Sequence, residues 1–249
     1  MKIEKILIAQ PAPANGSPYN EIVSKYGVEV DFHPFCKLET ISAREFRAQR
    51  ISILDYTAIV FTGRTTIDSF FKICEELRIT IPDSMKYFCV SEAVAMYLQK
   101  HIVYRKRKVF YGDGTPSSII SLIGPKHKGE KFLIAQSDNA SHDLENMLAA
   151  AGLETKTAVF IKTVYTDLKA IDMSRYQMIV FYNPSDIKSL FESYPDFKQE
   201  GMLFATFGKP TAKAMSEYGL SVEVEAPTPE APSIARALSL YFASHHDEN

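Results

Sequence analysis

Short apolar runs alternate along this chain with stretches of helical period. Residues 3–9 (IEKILIA) predict a strand, a Pro/Asn/Gly/Ser loop follows, and a short helix reaches to about Tyr26. Gly27 stands where a helix would close on a left-handed residue, since glycine tolerates positive φ; residues 28–32 start a second strand. Residues 39–55, rich in Arg and Glu, predict a helix ending near the apolar 51–54. Residues 56–71 (YTAIVFTGRTTIDSFF) give an apolar run, a Thr-Gly-Arg-Thr loop and a helix. That helix sets Ile67, Phe70, Phe71, Cys74 and Leu77 on one face, the spacing of a helix packed on a sheet. Further strands are predicted at 87–90, 108–111, 131–136, 203–207 and 222–225, and further helices at 93–99, 117–123, 144–151, 210–218 and 233–242.

The pattern is written twice. Residues 176–191 (YQMIVFYNPSDIKSLF) match 56–71 at seven of sixteen positions, and 131–136 (KFLIAQ) echo 5–10 (KILIAQ). Gly152-Leu153-Glu154 stands where Gly27-Val28-Glu29 stood, and Phe160 and Lys162 follow it at the spacing of Phe35 and Lys37. Two long copies of alternating strands and amphipathic helices predict a parallel sheet covered on both faces. Ligands of such sheets bind where strand ends run into helix N-termini, so two such loops facing each other would make a polar cleft.

Composition narrows the class. The 249 residues suffice for one large domain or two smaller ones, and a formal charge of −2 gives no general pull toward nucleic acid or membrane. The N-terminus enters a short strand without a signal-peptide core, and no apolar run is long enough to span a bilayer. Cys36, Cys74 and Cys89 are isolated, which suits a reducing compartment. The expectation is a cytoplasmic protein.

The strand-end loops are the candidate chemistry: Thr62, Gly63, Arg64 and Thr65; Ser91 and Glu92; Asn183, Pro184 and Ser185; Gly208, Lys209 and Thr211; and Thr228 with Pro229. Asn183 suits an N-cap and Pro184 a first helical residue. Free N–H groups at such ends bind carboxylates or phosphates, although capping alone explains Ser, Thr and Asn there. No GxGxxG or GxxxxGK[ST] loop and no G-x-S-x-G elbow occurs, and the six histidines lack ligand spacing, so no metal site is expected. His245 and His246 fall in a polar tail. The basic run 105–108 reads as a solvated strand edge before it reads as a nucleic-acid contact.

Several of these segments together resemble the uroporphyrinogen-III synthase family: IVFTGRTTIDSFF, VSEAVAMYL at 90–98, IVFYNPSDIKSLF, FGKPTAKAM, and VEVEAPTPEAPSIARAL. The most specific are Gly-x-x-Thr-Ala at 208–212 and Thr228-Pro229 before the last helix. The resemblance covers nearly the whole chain. It implies two flavodoxin-like doubly wound parallel-sheet domains joined by a two-stranded linker, with the ligand cleft between them. The chain would cross twice, residues 1–37 joining 167–249 in one domain and 38–166 forming the other, with linkers near 36–40 and 163–168.

The implied reaction closes hydroxymethylbilane to uroporphyrinogen III, with loss of water and inversion of ring D, in tetrapyrrole (haem) biosynthesis. It implies no metal or organic cofactor. It also implies a monomer, in at most transient contact with the preceding or following pathway enzyme, and no nucleic-acid or membrane partner. The bilane closes unaided to the uninverted isomer, so the enzyme must chiefly impose geometry. Helix N-termini, Arg64, Lys209 and the hydroxyls of Thr62, Thr65, Ser185 and Thr228 would serve the substrate's carboxylates.

Three positions depart from the family: Gly63 and Asn183 stand where Ser is common, and Ile161 where the family carries the tyrosine that assists loss of the hydroxyl. Tyr165, four residues on and on the same strand face, is the alternative catalytic candidate. These departures also fit a homologue that binds a tetrapyrrole or other polycarboxylate without turnover.

Overall fold

The computed structural model describes residues 2–245 and shows a mixed α/β fold built on parallel sheets. Strand β1 (Lys5–Ile8) leads through helix α1 (Asn20–Tyr26) to β2 (Glu29–Phe32) and β3 (Cys36–Thr40). Then come α2 (Ala43–Ala48), β4 (Ala58–Phe61), α3 (Arg64–Glu76), β5 (Lys86–Cys89), α4 (Glu92–Tyr97) and β6 (Val109–Tyr111). They are followed by α5 (Pro116–Ile123), β7 (Lys131–Ser137), α6 (Asp143–Ala150) and the long β8 (Glu154–Tyr165). The last part supplies β9 (Met178–Phe181), α7 (Pro184–Ser193), β10 (Leu203–Phe207), α8 (Lys209–Glu217), β11 (Val224–Ala226) and α9 (Ile234–Ser244).

Two compact units partition the chain: Met1–Lys37 with Val164–Asn249, and Leu38–Thr163. The first holds a five-stranded sheet in the order β2-β1-β9-β10-β11, parallel throughout. The second holds a six-stranded sheet in the order β3-β8-β7-β4-β5-β6, with β8 through β6 parallel.

Both sheets are buried on both faces, which is why their central strands are apolar at every position. In β4, Ile59 and Phe61 face the core under α3, while Ala58 and Val60 face the core under α5 and α6. In β9, Met178 and Val180 pack toward α1 and α9, while Ile179 and Phe181 pack toward α7. The helical face read from the sequence is the buried one in α3, where Ile67 and Phe70 are fully buried and Cys74 nearly so.

Helix ends follow local chemistry. Gly27 closes α1 at φ 67°, and Asn183 caps α7 in a reciprocal capping box with Asp186 and Pro184 at the first turn. Residues 39–55 differ from the single helix expected there. They form the end of β3, the six-residue α2 and a 3-10 turn at Ile53–Asp55. Ser42 and Glu45 start α2 with a capping box, and Arg50 at φ 55° takes the left-handed conformation that ends it. His245 is the C-cap residue of α9 and stacks on Tyr241, so it belongs to the helix end rather than a loose tail; His246 lies outside the described residues.

Candidate functional site

In the unit containing β9, the carboxyl ends of the strands are tied together by side chains. The Asp186 carboxylate, 1% exposed, accepts the N–H groups of Tyr182 (2.9 Å) and Asn183 (3.0 Å) on one oxygen. Its other oxygen takes the Asn183 amide at 3.1 Å and the Cys36 thiol at 3.5 Å. Burial pushes the Asp186 carboxyl above its usual range, and those two N–H groups pull against it. The Cys36 thiol is pushed up to about 12 by its own burial and then by the Asp186 charge. The N–H groups of Tyr182 and Asn183 are thus spent on the protein's own carboxylate.

Tyr182 is fixed at every polar group. Its hydroxyl pairs with that of the buried Tyr19, its carbonyl accepts the Thr211 hydroxyl at 3.2 Å, and its N–H goes to Asp186. Burial raises the pKa of both phenols. Thr211 is 2% exposed, so its hydroxyl serves this carbonyl. Gly208, the residue before α8, sits at φ 87°, a conformation that favours glycine; its N–H bonds the Ala226 carbonyl at 2.7 Å. Lys209 beside it is exposed, and the Thr228 hydroxyl accepts the Ala231 N–H at 3.1 Å to close the loop before α9. Pro184 and Ser185 are half-buried in the first turn of α7.

The other unit is arranged more openly. Gly63 precedes α3 in extended conformation at φ −163°, no side chain caps that helix, and Thr62, Arg64 and Thr65 are exposed. The Thr66 hydroxyl donates back to the Gly63 carbonyl at 2.7 Å, and the Arg64 guanidinium lies 5.6 Å from the centre of the Tyr97 ring. Ser91 precedes α4 without capping it, and Glu92 accepts the Tyr111 hydroxyl at 3.4 Å. Thr62 also lines a cavity of about 270 Å³ at the carboxyl ends of β4, β5 and β7, together with Val90, Pro116, Gln136 and Leu144. In the sequence, Gln136 stands out only as the last residue of the KILIAQ/KFLIAQ echo.

The tyrosine candidates differ in setting. Ile161 is 2% exposed in β8, a buried aliphatic side chain. Tyr165 ends β8, half-buried, and lines a shallow hollow with Thr166, Asp167, Lys169 and Glu192. The two ends of the basic run are engaged internally, Arg105 and Lys108 both pairing with Asp83 at 3.0 and 2.8 Å, while Lys106 and Arg107 are exposed. Among the described residues no three His, Cys, Asp or Glu side chains group as metal ligands, and no helix is long and apolar enough to cross a membrane.

Fold and loops together define the class: an α/β protein whose two parallel sheets each present polar loops and helix N-termini at their carboxyl edges. Residues 17–236 match the family described as uroporphyrinogen-III synthase HemD, and the chain belongs to that family. Among solved structures, a mutant uroporphyrinogen III synthase from the extremely thermophilic bacterium Thermus thermophilus superposes with a TM-score of 0.58 at 15% identity, covering 98% of this chain and 99% of that one. Uroporphyrinogen-III synthetase from Helicobacter pylori superposes with a TM-score of 0.57 at 16% identity, covering 97% and 100%. These likenesses are of fold. No curated protein sequence matches the chain.

Proposed function

We propose that the chain closes hydroxymethylbilane to uroporphyrinogen III, losing water and inverting the last ring. The family match over residues 17–236 carries the reading. Departure of the hydroxyl leaves an electrophilic methylene, and attack by the substituted carbon of ring D must outrun attack by the free one. Neither step is a net oxidation, so the balance asks for no redox partner. The protein's task is to hold one geometry, which needs well-placed donors more than a strong base.

In this reading each unit is a flavodoxin-like domain, residues 1–37 with 167–249 and residues 38–166. The strand orders β2-β1-β9-β10-β11 and β8-β7-β4-β5-β6 support it, both being the doubly wound 2-1-3-4-5 arrangement if β7 is counted first in the second sheet. In this reading the protein works as a monomer. The first turns of α3 and α8, which no side chain caps, with Arg64 and Lys209, take substrate carboxylates. The loop at Asn183 and Ser185 is held in shape by Asp186, and Thr228 is a hydroxyl donor at the edge. Tyr165 assists the leaving hydroxyl in place of the family tyrosine at Ile161.

The test is an isomer-resolved assay: hydroxymethylbilane with the protein should give the type III product faster than spontaneous closure gives type I. Type I alone, at the uncatalysed rate, overturns the reading. If uroporphyrinogen still binds in that case, Ile161 favours the second reading, a binder without turnover; gain of type III by Ile161→Tyr would then locate the missing group.

A further inference from the structure

Gln136 is a largely buried polar side chain that opens onto a cavity. It is 7% exposed, yet no described residue bonds its side-chain amide, and that amide borders the cavity of about 270 Å³ at the carboxyl end of β7. The amide is not among the buried unsatisfied side-chain atoms of the described residues, so it keeps access to the cavity. An unpaired amide presented to a pocket is a ready recognition element, since a few placed polar groups orient a ligand in such sites. Its backbone setting favours that role. β7 is an interior strand, and its pairing with β8 slips by one residue at this point: Gln136 faces Val159 while Ser137 faces Ile161. A bulge of this kind re-aims side chains and is common beside functional sites.

The cavity has a definite chemistry. Val90, Pro116 and Leu144 give apolar walls, while Thr62 and Ser141 bring hydroxyls and Asp143 a carboxylate. Its volume falls below the range of about 300–1,000 Å³ typical for drug-sized ligands, so it suits a single small ring and not a linear tetrapyrrole.

We propose that this cavity receives one acid-substituted pyrrole ring of the substrate and that Gln136 reads that ring. The assignment rests on the reaction proposed above and names the subsite in which one ring is oriented. A pyrrole ring offers flat apolar faces to Val90, Pro116 and Leu144. Its N–H is a donor only and meets the Gln136 Oε1. Its acid side chain meets the Gln136 Nε2 and the Thr62 hydroxyl. Asp143, negative and able only to accept, favours the N–H edge of the ring over its carboxylates. Holding one ring by edge and face fixes its rotation, which is what selection between the two isomers requires.

The experiment uses the full chain labelled with 15N and a monopyrrole carrying one acetate and one propionate. Titration should move the Gln136 side-chain amide resonances and the Thr62 backbone resonance. Gln136→Met, similar in shape but without the amide, should bind the monopyrrole at least about thirtyfold more weakly, the loss of one neutral hydrogen bond and one to a carboxylate. Its melting temperature should be unchanged or higher, because no bond in the free protein is lost. With hydroxymethylbilane the same variant should give a larger share of type I product.

Resonance shifts confined to other regions, or a Gln136→Met variant that binds as tightly as the native chain, overturn the assignment. So does a variant that melts earlier with binding intact, which marks a structural residue. The native-chain titration decides the matter even if the variant does not fold. Type I product from the native chain would sink the reaction but not the pocket, provided the Gln136 resonances move.

Discussion

The serines of α7 allow a sharp test of what anchors the chain where it leaves and re-enters the unit of β9. Ser189 is fully buried, and its hydroxyl donates to the carbonyls of Phe35 (2.5 Å) and Thr166 (3.2 Å). Phe35 precedes β3 and Thr166 follows β8, and the two are also joined by the Thr166 N–H on the Phe35 carbonyl at 2.9 Å. One turn later Ser193 accepts the Leu168 N–H at 3.0 Å and reaches the Thr166 carbonyl at 3.4 Å. In Ser189→Ala each carbonyl keeps one other donor, so the cost is about 1 kcal/mol, the net worth of a typical hydrogen bond.

Ser193→Ala leaves the buried Leu168 N–H without its acceptor, a loss of about 1–3 kcal/mol. The double variant additionally strips the Thr166 carbonyl of both hydroxyls. Its cost should therefore exceed the sum of the single costs by about 0.5–2 kcal/mol. Urea unfolding followed by far-ultraviolet circular dichroism measures all three, with a fall in melting temperature of about 2–4 °C per kcal/mol for a chain of this size. Additivity within about 0.3 kcal/mol would refute the shared-carbonyl argument.

Asn183→Ala removes the α7 cap and should cost about 1 kcal/mol in the same unfolding assay; no measurable change would show that Asp186 alone holds the helix start. Gly63→Ser places a capping hydroxyl where a Cβ meets nothing within 4 Å. It should stabilise by a few tenths of a kcal/mol (order of magnitude) while raising KM, because the new cap competes for the N–H groups assigned to substrate; an unchanged KM counts against that assignment. Burial pushes the thiols of Cys36, Cys74 and Cys89 up to about 12, so iodoacetamide at pH 8 should label the native chain slowly and the guanidinium-unfolded chain at all three sites. Rapid native labelling at any of them contradicts this. Glu45 is held near 2 by Lys162 and by the Ser42 N–H and hydroxyl, against an ordinary 4.5. Its stabilising contribution is present above pH 4.5 and is lost as pH falls toward 2. Carboxyl NMR titration should show that depression shrink in Lys162→Met, and an unshifted curve would remove Lys162 as the cause.

What the amino-acid pattern revealed were features decided locally or by burial on both sides. AIVF and MIVF read as central strands because no position tolerates water, and Gly27 and Asn183-Pro184 read as helix ends because backbone geometry and capping are short-range. Arg105 and Lys108 read as a strand edge, although their common partner Asp83 could not be foreseen. Residues 39–55 misled because charged residues of good helix propensity mask a stop: Arg50 turns left-handed without glycine to announce it. At the candidate site the decisive features are long-range. Asp186 looks like an ordinary first-turn acid until Cys36, far away in sequence, is placed against it. Tyr19 and Tyr182 carry no motif, and the cavity beside Gln136 is assembled from residues far apart in sequence.

The repeated stretch shows how one pattern yields two different loops. Ser69 and Ser189 occupy the same position in the two copies and are buried alike. Ser69 bonds the hydroxyl of Thr40 in β3 at 2.9 Å, and Ser189 bonds the carbonyl of Phe35 just before that strand. The matched serine is thus an anchor for the passing chain in both copies, and its identity follows from that shared task. Three residues earlier the copies diverge, Thr66 against Asp186. The Thr66 hydroxyl turns back onto the Gly63 carbonyl and leaves the first turn of α3 uncapped by any side chain. The Asp186 carboxylate instead gathers the N–H groups of Tyr182 and Asn183 and places a negative charge where an anion would otherwise sit. A helix N-terminus attracts carboxylates only while its donors are unspent. Under the proposed function the α3 copy is therefore the one left to serve substrate carboxylates, while the α7 copy fixes Tyr182 beside Tyr19.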